Sequence, residues 1–330
     1  MNDTGSSNSP LEVVAGTVGL RTVEAFSALG NETRLSILLA LWEAYEPFGE
    51  TNAVPFADLR KRLGMRDGSQ FNYHLKQLTG LFVRKTDDGY ELHRAGHQLV
   101  RTIIAGAGFE DPAFERIESD RDCRLCGAPT VLTYQKGWLF NICTECEGAF
   151  KIYDDEFPDG TLDALEPNPA GFVGRSPGEL FDAAVIHAFS EVLAAIEGVC
   201  SACSGPMEGW LDRCEDHATE GVCPNCKRHD ALLGKFRCEV CKHSMGVPVW
   251  GLVRYHPATV AFFYDHGVPL LYDAGSFRNL VPGHVDPPAT TTDELVSEDP
   301  PRVRVTIEHE GEQLRLTVDE ALAVSDVRRG

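Results

Sequence analysis

Along the first hundred residues, apolar positions recur with the period of an α-helix. Val23, Phe26 and Leu29 begin one amphipathic face. Asn31 is a residue type that caps helices, so we predict that a second helix starts just after it. The inward positions of that second helix are predicted to be Leu35, Leu38, Leu39 and Trp42. The pattern therefore predicts two successive helices that each bury one face.

A short helix, a turn and a further helix are predicted next. The stretch 55–63 has the length of two helical turns, and residues 65–68 have the composition of a turn. Ser69 is a candidate cap for a following helix. The apolar positions of that helix are spaced i, i+4 and i+7 and are Phe71, Leu75 and Leu78. Two helices joined by a tight turn are typical of a helix-turn-helix.

A β-hairpin is predicted over residues 82–92, and one more helix over residues 95–105. A hairpin behind a helix-turn-helix gives the winged form of that motif. We therefore predict a winged helix-turn-helix DNA-binding domain over residues 11–107. The polar stretch 1–10 is predicted to be a disordered tail.

The remainder of the chain predicts an α+β fold built from smaller modules. Residues 119–157 have β-hairpin composition, residues 158–177 have the Gly and Pro content of a connector, and residues 175–198 form a long connecting helix. Residues 199–250 are predicted to hold two further compact modules. The last region, 251–330, is predicted to be a small C-terminal α+β part.

Within that last region, Pro257 suits the first turn of a helix that carries Phe262, Phe263 and Tyr264, which are candidates for a pocket. Residues 286–301 are predicted to be a linker. The strands that follow alternate apolar and polar residues around Glu310-Gly311, which predicts a hairpin.

The cysteines change this picture, because all eleven lie after residue 122. Ten form five CxxC pairs, and Cys214 begins a CxxH with His217. These twelve side chains divide into three sets of four, the number that a tetrahedral structural zinc requires. The candidate ligands are Cys123, Cys126, Cys143, Cys146, Cys200, Cys203, Cys214, His217, Cys223, Cys226, Cys238 and Cys241. We expect about three structural Zn²⁺ ions per chain.

The assignment of ligands to sites is clear only for the first set. The spacing of Cys123, Cys126, Cys143 and Cys146 is that of a zinc ribbon. For the eight ligands over 200–241, sequential pairing closes shorter loops and is favoured, while interleaved pairing uses the same residues. His217 has the alternative of being a surface histidine, with His229 and His243 as substitute ligands.

The same spacing argues against an enzyme. Four protein ligands per metal leave no position for a substrate water. The sequence also has no His-Glu-x-x-His, no Gly-x-Ser-x-Gly and no phosphate-binding loop. An enzyme that uses a CxxC pair for redox or zinc chemistry is the weakest alternative.

The charge and composition of the chain indicate the cellular environment of the protein. The formal net charge is −20, with eight lysines, and such dispersed acidity is typical of halophilic adaptation. No apolar run has the length of a membrane span and the first residues lack the features of a secretory signal. We expect a cytoplasmic protein without membrane contact, in which CxxC pairs bind metal rather than form disulfides.

Against this acidic background, residues 58–101 are basic, with nine Lys and Arg against five Asp and Glu, a net of +4. If Phe71 and Leu75 face the core, the opposite side of their helix points outward, which is also the arrangement of any solvated amphipathic helix. The DNA-binding candidates are Arg66, Ser69, Gln70, Asn72, Tyr73, Lys76, Arg84 and Lys85. His74 lies beside the apolar stripe and is interpreted as a packing residue.

Three segments resemble ArsR-like winged helix-turn-helix regulators. Residues 26–38 resemble the opening of that domain, residues 71–78 its recognition helix and residues 82–92 its wing. The layout with zinc-ribbon-like segments behind this domain is similar to haloarchaeal helix-turn-helix proteins. The resemblance implies transcription regulation as a homodimer built from the first and last helices of the domain. The metal sensors of that family carry cysteines in or beside the domain, and this chain has none there.

Two classes of function follow. The first is a regulator that binds a specific operator in double-stranded DNA, with zinc stabilising a C-terminal half that dimerises or receives an unidentified effector. The alternative is a zinc-ribbon interaction module that docks on transcription or RNA machinery without sequence-specific DNA binding.

Overall fold

The chain divides into two compact units, Met1–Phe109 and Glu110–Gly330. The computed structural model describes five stretches, which are residues 24–107, 114–151, 157–218, 220–270 and 289–330. Both units combine helices with sheets, so the α+β class is confirmed. The predicted tail over residues 1–10 and Val23 lie outside the described stretches.

Over residues 24–107, the described part of the first unit, helices surround one hairpin. After helical residues 24–29, its elements are α1 (Glu32–Glu43), α2 (Phe56–Arg62), α3 (Gly68–Leu78), β1 (Val83–Lys85), β2 (Tyr90–Leu92) and α4 (Arg94–Thr102), which runs into a π-helical turn at Ile103–Ala107. The strands pair antiparallel, as predicted. Gly89 lies in their turn with a φ of 150°, and a Cβ there would stand 2.3 Å from the Val54 carbonyl oxygen. Only glycine fits this turn.

Helix α1 begins where the sequence predicts, and of its predicted inward residues Leu38 is buried and Trp42 packs against the core. The Asn31 side chain accepts a hydrogen bond from the backbone N–H of Arg34 at 3.2 Å, which confirms the cap. The buried positions are Ile37, Leu38, Ala40 and Leu41. The prediction of Leu39 and Phe26 as inward residues is wrong, because they are 42% and 73% exposed. Leu39 is apolar but lies one position off the stripe that meets the core.

Helix α3 is capped by Asp67 rather than by Ser69. The Asp67 carboxylate accepts hydrogen bonds from the backbone N–H groups of Ser69, at 2.7 Å, and Gln70, at 3.2 Å. A carboxylate suits this position because the N-terminal end of a helix carries partial positive charge. The helix therefore starts at Gly68, and its core side consists of Phe71, His74, Leu75 and Leu78.

The second unit starts with an antiparallel sheet of four strands, β3 (Phe114–Asp122), β4 (Pro129–Gln135), β5 (Trp138–Cys143) and β6 (Thr161–Leu165), in that spatial order. The hairpin β4–β5 is the predicted one. Strand β6 lies in the stretch predicted to be a connector, so that prediction is wrong there. Pro158 and Gly160, just before the strand, give this stretch the composition of a connector. The strand forms because its backbone pairs with β5.

A capped helix and a second antiparallel sheet follow. Helix α5 (Pro177–Ile196) confirms the predicted long helix, and a reciprocal capping box between Ser176 and Glu179 fixes its start. The sheet consists of β7 (Met207–Arg213), β8 (Leu232–Cys238) and β9 (Ser244–Pro248) in chain order.

Two short helices, α6 (Val249–Val253) and α7 (Pro257–Asp265), precede a four-stranded meander. Its strands are β10 (Thr290–Glu298), β11 (Pro301–His309), β12 (Glu312–Val318) and β13 (Val324–Arg329). Glu310 and Gly311 have φ of 50° and 85°, as the predicted tight hairpin requires. The prediction of a linker over 286–301 is wrong for residues 290–298, which form β10.

One hydrophobic core joins the regions 199–250 and 251–330. It collects buried side chains from α5 to β12, among them Phe236, Phe262, Phe263, Val305 and Leu316. Leu322, between β12 and β13, is 5% exposed and lies where a Cβ on Gly209 or Gly234 would come within 3.2 Å of its Cδ1. The two glycines therefore leave the space into which the C-terminal meander packs.

Candidate metal centres and nucleic-acid interface

The first set of four cysteines lies at one end of the β3–β6 sheet. Cys123 and Cys126 follow β3, Cys143 is the last residue of β5, and Cys146 lies three residues after it. The Cys123 and Cys146 sulfurs are 3.7 Å apart, and the Cys126 and Cys143 sulfurs are 3.5 Å apart. We call this group the first tetrad, and it has the membership that the sequence predicts.

The other eight ligands form two tetrads at opposite ends of the β7–β8 hairpin. The outer tetrad, Cys200, Cys203, Cys238 and Cys241, lies where β7 begins and β8 ends. The inner tetrad, Cys214, His217, Cys223 and Cys226, lies in the connection between the two strands. In each of the three tetrads, the potential ligand atoms are all within 4.8 Å of one another.

The favoured sequential pairing is wrong, and the interleaved alternative is wrong as well. The observed order is nested, since the first ligand pair joins the fourth and the second joins the third. The reason is the register of the hairpin, in which Met207 pairs with Cys238 and Arg213 with Leu232. Antiparallel strands bring together residues equally far from the turn. Loop length has little influence, because doubling a loop costs only about 0.6 kcal/mol.

The donor sets fit a tetrahedral thiophilic metal ion. A metal–sulfur distance of about 2.3 Å in a tetrahedron places sulfurs about 3.8 Å apart, close to the separations observed. Backbone N–H groups point at the sulfurs, for example that of Cys146 at Cys143, 3.3 Å away, and that of Gly205 at Cys203, 3.4 Å away. All eleven cysteines are free rather than disulfide-bonded. These groups are therefore able to hold three metal ions.

Local hydrogen bonds prepare one cysteine in each of the two hairpin tetrads for ligation. The backbone N–H groups of Ala218 and Cys226 lower the pKa of the Cys223 thiol to about 6. In the outer tetrad, the backbone N–H of Cys241 is the main cause that lowers the pKa of Cys238 to about 6. A thiolate is the form that binds metal, so these hydrogen bonds favour the ligating form of one sulfur in each site.

His217 belongs to the inner tetrad, as its spacing from Cys214 predicts. Its Nδ1 lies 3.4 Å from the Cys226 sulfur, and its Nε2 lies 3.1 Å from the backbone carbonyl oxygen of His229. A carbonyl that accepts the Nε2 proton fixes the tautomer with Nδ1 free to bind a metal. His229 and His243 are outside the tetrads, and the alternative of a surface histidine at 217 is not supported.

The outward side of α3 carries the residues that the sequence marks for nucleic acid. Ser69, Gln70, Tyr73 and Lys76 are exposed, with Tyr73 60% exposed, and Asn72 is half-buried at the edge of the face. His74 is 8% exposed and packs edge-on against the Tyr73 ring, which confirms it as a packing residue. The helix thus has a buried side and an exposed side, with Asn72 at the boundary between them.

Three basic candidates lie outside α3. Arg66, in the turn before the helix, is exposed, and its carbonyl accepts a hydrogen bond from the Arg60 guanidinium at 3.0 Å. Arg84 and Lys85, both exposed, lie on β1, where Arg84 pairs with Glu91 of β2. All eight candidates therefore belong to the first unit, and seven of them are exposed.

The aromatic cluster near the C-terminus does not form the suggested pocket. Phe262 and Phe263 are fully buried in the core, whereas Tyr264 is 73% exposed. Sequence reasoning also missed Glu147 and Gly221, which touch each other beside the inner tetrad. Neither residue is a ligand, so ligand spacing gave no signal for them.

The chain belongs to the family described as a domain of unknown function, DUF7351, whose model matches residues 120–324. That match includes all twelve ligands of the three tetrads. A second family model, also described as a domain of unknown function, DUF7347, matches residues 22–103, which include α1 to α4. No curated protein and no solved structure matches the chain. Within the described stretches, no helix is both long and apolar enough to cross a membrane.

Proposed function

We propose that this protein is a transcription regulator that recognises a specific operator in double-stranded DNA through a winged helix-turn-helix in residues 24–107. In this proposal α2 and α3 are the helix-turn-helix and β1–β2 is the wing. The observation that carries it is the division of α3 into a buried side, apolar except for His74, and an exposed side with amide, hydroxyl and ammonium groups. These groups are the ones that bind base edges and phosphates in the major groove.

The basic residues around α3 support the same proposal. Arg66 precedes the helix, and Arg84 and Lys85 occupy the strand that follows it. Phosphate contacts of this kind position a protein on DNA without reading its sequence. Because the whole chain carries a net charge of −20, such local basicity is needed for approach to a polyanion.

In the proposal, zinc has a structural role in the second unit. Three Zn²⁺ ions would be held by the three tetrads, in the zinc-ribbon manner for the first tetrad, and would stabilise a platform that dimerises or receives an effector. Four protein ligands at each metal leave no open coordination position, so we propose no catalytic activity. The ArsR-like resemblance supports a homodimer as the DNA-binding form.

The test begins with a selection of operators from a random pool of double-stranded DNA by the full chain at high salt. High salt weakens phosphate contacts and leaves sequence-dependent binding visible. The double variant Asn72→Ala/Tyr73→Ala is expected to bind the selected operator at least about 10-fold more weakly, because each good base contact contributes roughly 1–3 kcal/mol. Unchanged affinity would show that this face does not read DNA.

A matched control is Asn168→Ala, since Asn168 is an exposed amide residue of the second unit whose side chain makes no cap hydrogen bond to the helical turn that follows it. It should leave operator affinity unchanged, whereas Gln70→Ala removes the same amide from the start of α3 and should weaken binding. Lys76→Ala should lower affinity for all sequences alike and reduce its salt dependence. If no sequence is enriched by the unaltered protein, the interaction-module alternative is favoured.

A further inference from the structure

The first and inner tetrads are joined by a short antiparallel contact. Phe150, four residues after Cys146, forms a β-bridge with Arg228, two residues after Cys226. The backbone N–H of Lys151 donates to the Lys227 carbonyl at 2.8 Å. The segments that leave the two tetrads are therefore held to each other by main-chain hydrogen bonds.

A carboxylate on one side reaches into the loop of the other. The Glu147 Oε1 accepts a hydrogen bond from the backbone N–H of Val222 at 2.7 Å, next to the ligand Cys223. Gly221, with a φ of 67°, makes room for it, because a Cβ there would lie 2.0 Å from the same Oε1. The loop of the inner tetrad is thus shaped to receive Glu147.

His229 links the two sites through its backbone. Its N–H donates to the Ala149 carbonyl at 2.6 Å, and its own carbonyl oxygen lies 3.1 Å from the Nε2 of the ligand His217. The Ala149 N–H in turn donates to the Thr161 carbonyl of β6 at 2.7 Å. The position of the imidazole ligand therefore depends on a segment that the first tetrad holds in place.

We propose that the first and inner tetrads bind metal cooperatively, with Glu147 and the His229 backbone as the positioning groups that couple them. Metal in the first tetrad holds residues 147–151, which then orient His217 and the Cys223 loop for the inner metal. Coupling between two binding sites is reciprocal, so the inner metal strengthens the first site equally. This inference rests on the metal binding of the proposed function.

The experiment uses the metal-free full chain titrated with Co²⁺, whose visible spectrum distinguishes three sulfurs and one nitrogen from four sulfurs. The signal of the three-sulfur site reports the inner tetrad alone. Glu147→Ala is expected to weaken Co²⁺ binding at that site by about 10-fold, the lower range for loss of a group that orients a ligand. The four-sulfur signal comes from the first and outer tetrads together. Its outer-tetrad half should keep the original affinity, and its first-tetrad half should weaken together with the inner site, because the coupling is reciprocal.

The matched control is Glu145→Ala, because Glu145 is an exposed glutamate only two residues before Glu147 and lies between Cys143 and Cys146. It removes the same charge and should change nothing. Glu147→Gln keeps a side-chain oxygen for the Val222 N–H and should restore binding. These two variants separate a positioning role from a general effect of charge or folding.

Coupling itself is measured by disabling the first tetrad with Cys143→Ser/Cys146→Ser in both backgrounds, because a single serine would leave three sulfurs and a signal like that of the inner tetrad. The double substitution should weaken the inner site about 10-fold when Glu147 is present and much less after Glu147→Ala. Equal effects in the two backgrounds, or an unaffected inner site, would overturn the coupling while leaving the metal sites intact. If the unaltered chain gives no Co²⁺ spectrum, the proposed metal sites fail and this inference fails with them.

Discussion

The two units of this protein are built on different chemistry. The first has no cysteine, and its fold depends on fully buried side chains such as Leu59, Phe71 and Leu78. In the second, Cys200 and Cys238 of the outer tetrad share the large C-terminal core, whereas the first tetrad lies in a small cluster and the inner-tetrad ligands belong to none of the described hydrophobic clusters. Beside the first tetrad, Leu162 is the buried residue that packs with Cys123 and Cys143. Burial of apolar area stabilises the first unit, and the first and inner tetrads of the second need another source of stability.

Metal removal should produce the largest difference in stability between the two units. Structural zinc contributes roughly 10–16 kcal/mol of binding free energy in small zinc domains, so a chelator should unfold the hairpin ends of the second unit. Hydrogen exchange followed by mass spectrometry should show loss of amide protection around the tetrads and unchanged protection in α1 to α4. Equal loss of protection in both units would contradict the claim that only the second unit depends on metal.

The converse change is Phe71→Ala in α3. Phe71 is fully buried and packs edge-on against Phe56 at a centroid distance of 5.0 Å, so truncation should destabilise the first unit by about 3–5 kcal/mol. Thermal unfolding monitored by circular dichroism should show the loss, and metal content should stay at the level of the unaltered chain. A drop in bound metal would show that the units depend on each other.

A smaller effect concerns acid and the C-terminal core. His309 is 1% exposed, its ring nitrogens have no hydrogen-bond partner among the described residues, and the His266 ring lies 5.1 Å away. Burial, followed by His266, lowers the pKa of His309 below its ordinary 6.5. The folded state therefore favours the neutral ring. The contribution of His309 to folding stability is fully present above pH 6.5, and it is lost as the pH falls from 6.5 through the lowered pKa.

Replacing His309 by Phe should remove this acid sensitivity. We expect His309→Phe to be more stable than the unaltered chain at pH 5 by roughly 1 kcal/mol, because no buried imidazole has to be protonated or left unpaired. The measurement is the difference in midpoint of thermal unfolding between the two proteins at pH 8 and at pH 5. If the difference in midpoint is the same at pH 8 and at pH 5, His309 is not the source of the acid sensitivity.

The smallest expected effect tests the start of α3. Asp67→Ala removes the observed cap and should destabilise the first unit by about 1 kcal/mol, measured by urea denaturation. Ser69→Ala is the matched control, because the Ser69 side chain does not cap the helix, and its effect should be within about 0.5 kcal/mol. A larger loss of stability in Ser69→Ala than in Asp67→Ala would identify Ser69 as the cap instead.

The parts of the fold that were predictable have local causes. The Asn31 cap and the Glu310-Gly311 turn each depend on residues within four positions of one another. The same holds for membership of the first tetrad, because the hairpin between its CxxC pairs is short. In the candidate DNA interface, the i, i+4, i+7 spacing of Phe71, Leu75 and Leu78 was enough to place Tyr73 and Lys76 on the exposed side, but not Asn72, which is half-buried.

The parts that were missed depend on distant partners. Strand β10 has few apolar residues and is a strand because it pairs with β11, from Thr290 opposite Glu308 to Glu298 opposite Pro301. The nested membership of the hairpin tetrads likewise follows from the register of β7 and β8, which spans about 20 Å between the two sites. Ligand spacing identifies the twelve side chains but carries no information on this register.

The most direct test of the metal-built second unit is the number of metal ions in the intact chain. Native mass spectrometry of protein purified without added metal or chelator should show three zinc ions per chain, with every cysteine reduced. The variant Cys238→Ser, which removes one outer-tetrad ligand, should show two. A chain that carries one zinc or none, or that forms disulfides between the CxxC pairs, would contradict the account.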